Sequence, residues 1–152
     1  MKNKLKYLIL VLLISNNFYF SYAEEIKFDD IKFEATKIEY FNQENLIKAS
    51  GKVKIFLDDD TEIFAEKFTY DRTNYHLIVE ENVIVEDFKN DILIKSNKVN
   101  YFKKKEILTS KTKTIIIFKK NYVFNLTSFT YDKNKSVLIS KTPSEIIDKL
   151  EN

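Results

Sequence analysis

Residues 35–55 read ATKIEYFNQENLIKASGKVKI, and their pattern decides the fold. In the second half of this stretch the apolar residues fall on alternate positions: Ile47, Ala49, Val53 and Ile55. A period of two is typical of a β-strand with one buried face, and the lysines between these residues belong to the opposite, wet face. Turn-forming residues at 42–45 separate this strand from the one before it. The stretch therefore predicts a β-hairpin.

The first strand of this hairpin returns three more times along the chain. Each copy has an apolar residue, then Ala, Ser or Leu two positions on, an apolar residue three further and Tyr two further. The four tyrosines, separated by steps of 30, 31 and 30 residues, are Tyr40, Tyr70, Tyr101 and Tyr131. A fixed period of this length indicates a structural repeat. The tyrosines are predicted to be structural, each closing a corner with its hydroxyl at the wet end.

The strands that carry these copies are predicted to bend. In each copy the first two positions of the pattern and the last two have opposite parity, so a straight strand would send them to opposite faces. A bulge near Glu66 and Lys67 in the second copy would return all four to one side. We therefore predict an all-β fold: an open, twisted β-jelly roll built from about four repeated two-strand units.

The apolar positions of the repeats define the predicted inner face. In any β fold these side chains serve as core: Phe33, Ile38, Ile47, Ala49, Val53, Ile55, Ile63, Phe68, Leu77, Val79, Val83, Val85, Ile94, Val99, Leu108, Ile116, Phe124 and Phe129. In the third unit, Ser110, Thr112 and Thr114 occupy equivalent positions. The inner face is therefore predicted to be narrower or more polar in that unit.

Residues 1–23 have the three parts of a secretory signal peptide. A basic start is followed by the apolar run 7–14 and by the small-x-small end Ser21-Tyr22-Ala23. The alternative is an uncleaved membrane anchor, but the run is well short of the ~20 residues that a spanning helix needs. We therefore predict export, with the β-repeat domain occupying residues 24–141.

The last residues, 142–152, break the repeat pattern. Thr142 is placed as an N-cap, Pro143 at the first helical position and Glu145 for a capping box. This arrangement predicts a short helix from Pro143 to about Leu150, or else a linker.

Composition excludes several classes of function. The chain has no cysteine, which rules out disulfides and thiolate zinc sites. Lys and Arg number 25 against 23 Asp and Glu, a balance that gives a nucleic-acid partner little electrostatic attraction. The single histidine, His76, falls in a turn, and residues 58–62 lack the ligand spacing of an EF-hand. We therefore expect that the protein is not an enzyme and that it has no cofactor, no metal site and no nucleic-acid partner. We expect Asp58 to Asp60 to form a solvated turn.

The repeat resembles that of the OstA-like lipopolysaccharide-transport family, which includes LptA, LptC and the N-terminal periplasmic domain of LptD. The resemblance covers about Ile26 to Ser140. Its best copy consists of Ala35, Ile38, Tyr40, Ala49, Gly51, Val53 and Ile55, and the next of Ala65, Phe68, Tyr70, Val79, Asn82, Val83 and Val85. The glycine of the first copy is replaced by Glu81 and Thr112 in the two that follow. The resemblance leaves open which of the three members this chain corresponds to.

This resemblance implies a V-shaped jelly roll whose apolar inner face shelters the acyl chains of lipid A. It implies two kinds of partner, lipopolysaccharide itself and other lipopolysaccharide-transport proteins that pair through edge strands. The implied location is the periplasm, at the outer membrane or in a trans-envelope bridge. The alternative is a structural β-repeat module, an envelope scaffold or adhesin with a dry core.

Overall fold

The computed structural model describes residues 24–28, 31–140, 142 and 144–148. The predicted signal peptide lies outside these described residues, and so do Pro143 and residues 149–152. Within the described ranges, no helix is long and apolar enough to cross a membrane.

The described chain forms thirteen strands in a single sheet, and every pair is antiparallel. The strands are β1 (Glu24–Phe28), β2 (Ile31–Ala35), β3 (Lys37–Phe41), β4 (Leu46–Asp58), β5 (Thr61–Asp71), β6 (His76–Asp87), β7 (Ile92–Phe102), β8 (Ile107–Ser110), β9 (Thr114–Phe118), β10 (Tyr122–Leu126), β11 (Phe129–Asp132), β12 (Val137–Ile139) and β13 (Glu145–Asp148). Single 3-10 turns at Asn42–Glu44 and Lys103–Lys105 follow β3 and β7. The predicted all-β jelly roll is confirmed.

The strand ladder is interrupted along one line that crosses the sheet, which we call the crease. It runs through positions 36, 51–52, 66, 81–82, 97, 112 and 127, which recur every 15 or 16 residues. In the longest strands the interruptions are register shifts, between Ser50 and Val53 in β4 and between Glu80 and Val83 in β6. The bulge predicted near Glu66 lies on this line. Such shifts bend a strand and reset which face its side chains occupy.

The bends of β4 and β6 contain left-handed backbone. Gly51 has φ +77°, and a Cβ there would lie 3.0 Å from both Cβ and Oγ1 of Thr36. The Thr36 N–H donates to the Gly51 carbonyl over 2.8 Å, so the backbone approaches closely at this point. At the equivalent bend of β6, Glu81 and Asn82 adopt φ +67° and +54°. Only the first bend therefore uses glycine to reach this conformation.

The crease divides the sheet into two half-sheets that face each other. Half-sheet I contains β1, β2, β9, β10, β13 and residues 53–58, 61–65, 83–87 and 92–96; half-sheet II contains β3, β8, β11, β12 and residues 46–50, 67–71, 76–80 and 98–102. Phe33 of half-sheet I meets Phe68 of half-sheet II edge to face, with ring centroids 4.8 Å apart. The core therefore lies between the two inner faces.

The predicted inner face is the core of the protein. All but two of its residues are buried; the two, Ile38 and Phe124, are partly buried and pack against the same cluster. Tyr70, Tyr101 and Tyr131 are buried as well, whereas Tyr40, on the edge strand β3, is 46% exposed. The alternation in the sequence thus identified the inner face from end to end.

The predicted C-terminal helix is wrong. Residues Glu145–Asp148 form strand β13, which pairs with β10 from Asn125↔Glu145 to Tyr122↔Asp148. A helix this short is not stable alone, whereas a strand satisfies the backbone groups that the edge of β10 would otherwise leave unpaired. The β-branched Ile146 and Ile147, which stand opposite Phe124 and Val123, suit a strand.

We expect the two faces of one strand to respond very differently to a carboxylate. Ile94 is 1% exposed and stands between Val85 and Ile116, whereas the adjacent Lys95 faces solvent. Ile94→Asp should lose several kcal/mol of folding free energy because the buried carboxylate has no partner. Lys95→Asp should change it by roughly 0.5 kcal/mol. Equal denaturation midpoints in urea would contradict the assignment of the faces.

Candidate functional site

The space between the half-sheets is the candidate site. Its walls come from every two-strand unit, because each unit contributes one segment to each half-sheet. The wall is apolar from Phe33 and Ile38 near one end to Phe124 and Phe129 near the other. The fold thus brings all the predicted lining residues onto one continuous inner surface.

One patch of this surface is polar. Ser96 Oγ lies 3.2 Å from Ser110 Oγ and 2.9 Å from both Thr112 Oγ1 and Thr114 Oγ1. Ser110 and Thr114 also donate to the carbonyls of Lys98 and Thr112, over 2.7 and 2.9 Å. These hydroxyls satisfy one another, so the predicted polarity of the third unit is confirmed as a self-contained cluster beside the crease.

Opposite the crease, the rims of the two half-sheets meet at a polar contact that we call the seam. It joins Asp58, Asp87 and Asn90 of half-sheet I to Lys133, Tyr131 and Ser136 of half-sheet II, and Glu106 lies beside Lys133 on the side of half-sheet II. The ammonium of Lys133 contacts the Asp58 carboxylate and lies 3.9 Å from Glu106 Oε2. Ser136 Oγ donates to Asn90 Oδ1 over 2.7 Å. The seam therefore holds the two rims together.

Lys133 is unusually enclosed for a lysine in a turn. Its side chain is 9% exposed, whereas that of Lys135 in the same turn is 75% exposed. Partial burial raises the pKa of Asp58, but the hydrogen bond and charge of Lys133 outweigh this effect and hold the pKa below its usual value. Asp58 is thus held as a carboxylate by a lysine 75 positions away in the sequence.

Beside this ion pair, Tyr131 anchors the seam from inside. Its hydroxyl donates to Asp87 Oδ2 over 2.8 Å, and both groups are buried. Asn90 donates to the same carboxylate from its backbone N–H and its side-chain amide, over 3.0 and 2.9 Å. Burial, followed by the hydrogen bond to Asp87, raises the pKa of Tyr131 far above its usual value, so the phenol remains a donor.

A cavity of about 450 Å³ lies at the seam, lined mainly by polar groups that include Lys89 and Asn134. Sequence analysis did not predict this cluster: it places Asp58 in a solvated turn, and Lys133 occupies none of the repeat positions. A signal was present in the first and second units, where the acidic residues Asp58 and Asp87 end strands β4 and β6. The partners of these acidic residues, however, are determined by the folding of the two half-sheets onto each other.

The two ends of the interior are less covered than its middle. At the β3 end, Tyr40 is exposed and its hydroxyl accepts a hydrogen bond from Arg72 Nη1 over 2.9 Å. At the opposite end, Ile146 of β13 is 62% exposed and stands opposite Phe124, a residue of the inner wall. Apolar side chains therefore extend to both ends of the site.

The single histidine, His76, is held between an aromatic ring and an amide. His76 stacks on Phe102 with ring centroids 4.5 Å apart, and its Nε2 lies 3.1 Å from Asn100 Oδ1. In the described part of the chain no group of three or more His, Cys, Asp or Glu residues is arranged to hold a metal ion.

Comparison with known proteins supports the fold. No protein-family model and no curated protein matches the sequence. Among solved structures, the chain is similar to LptH from Pseudomonas aeruginosa, the LptA-homologous periplasmic component of the lipopolysaccharide transport device. The TM-score is 0.65 at 12% identity, over 77% of this chain and 93% of LptH. The chain therefore has an LptA-like fold.

Removal of one hydroxyl tests the seam. Tyr131→Phe takes a donor from the buried Asp87 carboxylate, so we expect the free energy of unfolding to fall by about 1–3 kcal/mol. The matched control, Tyr40→Phe, removes an exposed hydrogen bond of the equivalent tyrosine and should cost less than about 1 kcal/mol. Denaturant titrations of the two variants measure the difference. A cost for Tyr131→Phe no larger than that of the control would show that the seam does not stabilise the fold.

Proposed function

We propose that this chain binds lipopolysaccharide between its half-sheets and carries it through the periplasm toward the outer membrane. The observation that carries the proposal is the apolar inner wall that continues from β2 and β3 to β10 and β11. The LptA-like fold, shared with a periplasmic component of a lipopolysaccharide transport device, supports it. The signal peptide predicted at residues 1–23 agrees with a periplasmic location.

The physical task fits this interior. Burial of one CH₂ group is worth ~0.8 kcal/mol, so a dozen-carbon acyl chain exposed to water costs on the order of 10 kcal/mol. An interior of Ile, Val, Leu and Phe side chains removes that cost without any chemical step. Sugars and phosphates would remain outside the rims, where they stay hydrated. The proposed activity is therefore non-enzymatic transport.

A ligand in this position has to separate the two inner faces. Phe33 and Phe68 are in contact across the interior, and both are buried. Acyl chains that enter here would replace contacts between side chains with contacts to the lipid, so the apolar area removed from water is largely retained. The interior would then open along the rims rather than at the crease, where β4 to β7 run continuously from one half-sheet to the other.

A structural β-repeat module, an envelope scaffold or an adhesin, is the second candidate. The burial of the inner-face side chains against one another favours it, because such a core can hold the fold together without any ligand. The two candidates differ in whether lipid ever enters the interior.

Photo-crosslinking in the bacterial envelope distinguishes them. A photoreactive residue at Ala49, Phe68 or Val83, all on the inner face, should capture lipopolysaccharide. The outward-facing Lys48 and Ile84, each adjacent in sequence to one of these positions, serve as controls and should capture little. Crosslinks at none of the inner positions, with the protein folded and exported, would favour the scaffold.

We further propose that copies of this chain, or related transport proteins, join through edge strands. In half-sheet II, β3 is paired only with β4 at one end, and β12 only with β11 at the other. Both edges expose apolar side chains, Phe41 on the first and Val137 and Ile139 on the second. Because the two edges differ, the contact would be head-to-tail and would extend the inner wall from one molecule into the next.

Two charge variants test this assembly. Lysine is typical of edge strands that resist pairing, so Phe41→Lys should block the β3 edge and Ile139→Lys the β12 edge. We expect each variant to be monomeric in sedimentation at concentrations where the unchanged protein forms chains. A mixture of the two should form dimers and nothing larger, because one free edge of each kind remains. Self-association of either variant alone would contradict the head-to-tail arrangement.

A further inference from the structure

We infer that the seam is a closure that a phosphorylated acyl lipid opens by taking Lys133 away from Asp58 and Glu106. This inference rests on the proposed function and specifies the chemistry that the headgroup must offer. It follows from where the seam lies, what it encloses and which of its groups can change partner.

The seam lies across the route of any amphiphile that keeps its headgroup outside. Acyl chains held between the half-sheets connect to their headgroup through the gap between the rims, because the crease side is crossed by continuous strands. At the seam this gap is occupied by the contacts from Lys133 to Asp58 and from Ser136 to Asn90. A lipid therefore cannot occupy or pass this part of the interior while the seam is intact.

Lys133 is the group that can exchange partners. It holds Asp58, whose side chain is 45% exposed and already partly solvated, and it lies within ion-pair distance of Glu106. A phosphate monoester offers three acceptor oxygens and more negative charge than one carboxylate, so it competes well for an ammonium group. Asp58 would then turn to water at little cost. Lys89 lines the same cavity of about 450 Å³ and supplies a second cation for the headgroup, which the carboxylates of the same lining, Asp58, Asp60, Asp87 and Glu106, oppose.

The inner anchor of the seam is not open to the same exchange. Asp87 is 2% exposed and takes its donors from Tyr131 and Asn90, none of which carries a positive charge. An anionic headgroup has no cation to pair with there. The selectivity for phosphate is thus expected to depend on Lys133.

A reversible crosslink tests whether the seam must open. Because the chain has no cysteine, Asn90→Cys with Ser136→Cys can be joined by a short bis-thiosulfonate reagent and released by reductant. We expect the crosslinked protein to bind lipid A that carries two phosphates at least tenfold more weakly than the released protein. The control pair, Asp60→Cys with Phe88→Cys, joins two residues of the same rim whose backbones already share a hydrogen bond of 2.9 Å. Its crosslink should change the affinity less than twofold.

A second pair of variants tests the role of the lysine. The unchanged protein should prefer lipid A with two phosphates over its dephosphorylated form by at least fivefold. Lys133→Gln should abolish that preference. Lys135 is an exposed lysine of the same turn, and Lys135→Gln should retain the preference.

The outcomes separate the two proposals. If the unchanged protein binds neither form of lipid A, the proposed function fails and this inference with it. If it binds lipid A but the crosslink across the seam has no effect, or Lys133→Gln keeps the preference for phosphate, the inference alone is overturned and the proposed function stands.

Discussion

The rest of the structure depends on one constraint: the long strands must bend at positions that lie next to each other in the sheet. Side chains alternate strictly along a strand, so an unbent sheet of these strands would have one apolar face with nothing to cover it. The shifts between Ser50 and Val53 and between Glu80 and Val83 occur in register across neighbouring strands. Because they align, the whole sheet folds along one line, and its two halves cover each other's apolar face.

The sequence predicted the parts of the fold that are encoded locally. The alternation in Ile47, Ala49, Val53 and Ile55 identified the inner face, and the change of parity before each tyrosine located the bend near Glu66. The C-terminal helix was wrong because the capping pattern at Thr142 is a local preference, whereas the edge of β10 offers a strand partner that is distant in sequence. Tertiary pairing outweighed propensity there.

The seam could not be predicted for a related reason. Asp58 and Lys133 are 75 positions apart, and they meet because the two half-sheets fold onto each other along the crease. Their separation is five times the 15-residue spacing of the crease positions. Charged residues at turns are nevertheless ordinary on any β-protein surface, so the spacing alone does not single out this pair. The proposed lipid-binding role of the inner wall cannot be read from its residues alone either, since the same apolar residues would form the core of a scaffold.

The crease also explains how this fold tolerates divergent sequences. It requires left-handed backbone at particular places, and in this chain Gly51, Lys52, Glu81 and Asn82 all adopt it. Non-glycine residues pay a modest conformational cost there, which the aligned pairing on both sides of the bend offsets. The requirements are therefore parity and spacing rather than particular residues, so chains can share this architecture with few identical positions. What remains specific to each chain is the chemistry of its rims, where Lys133 and its carboxylate partners lie.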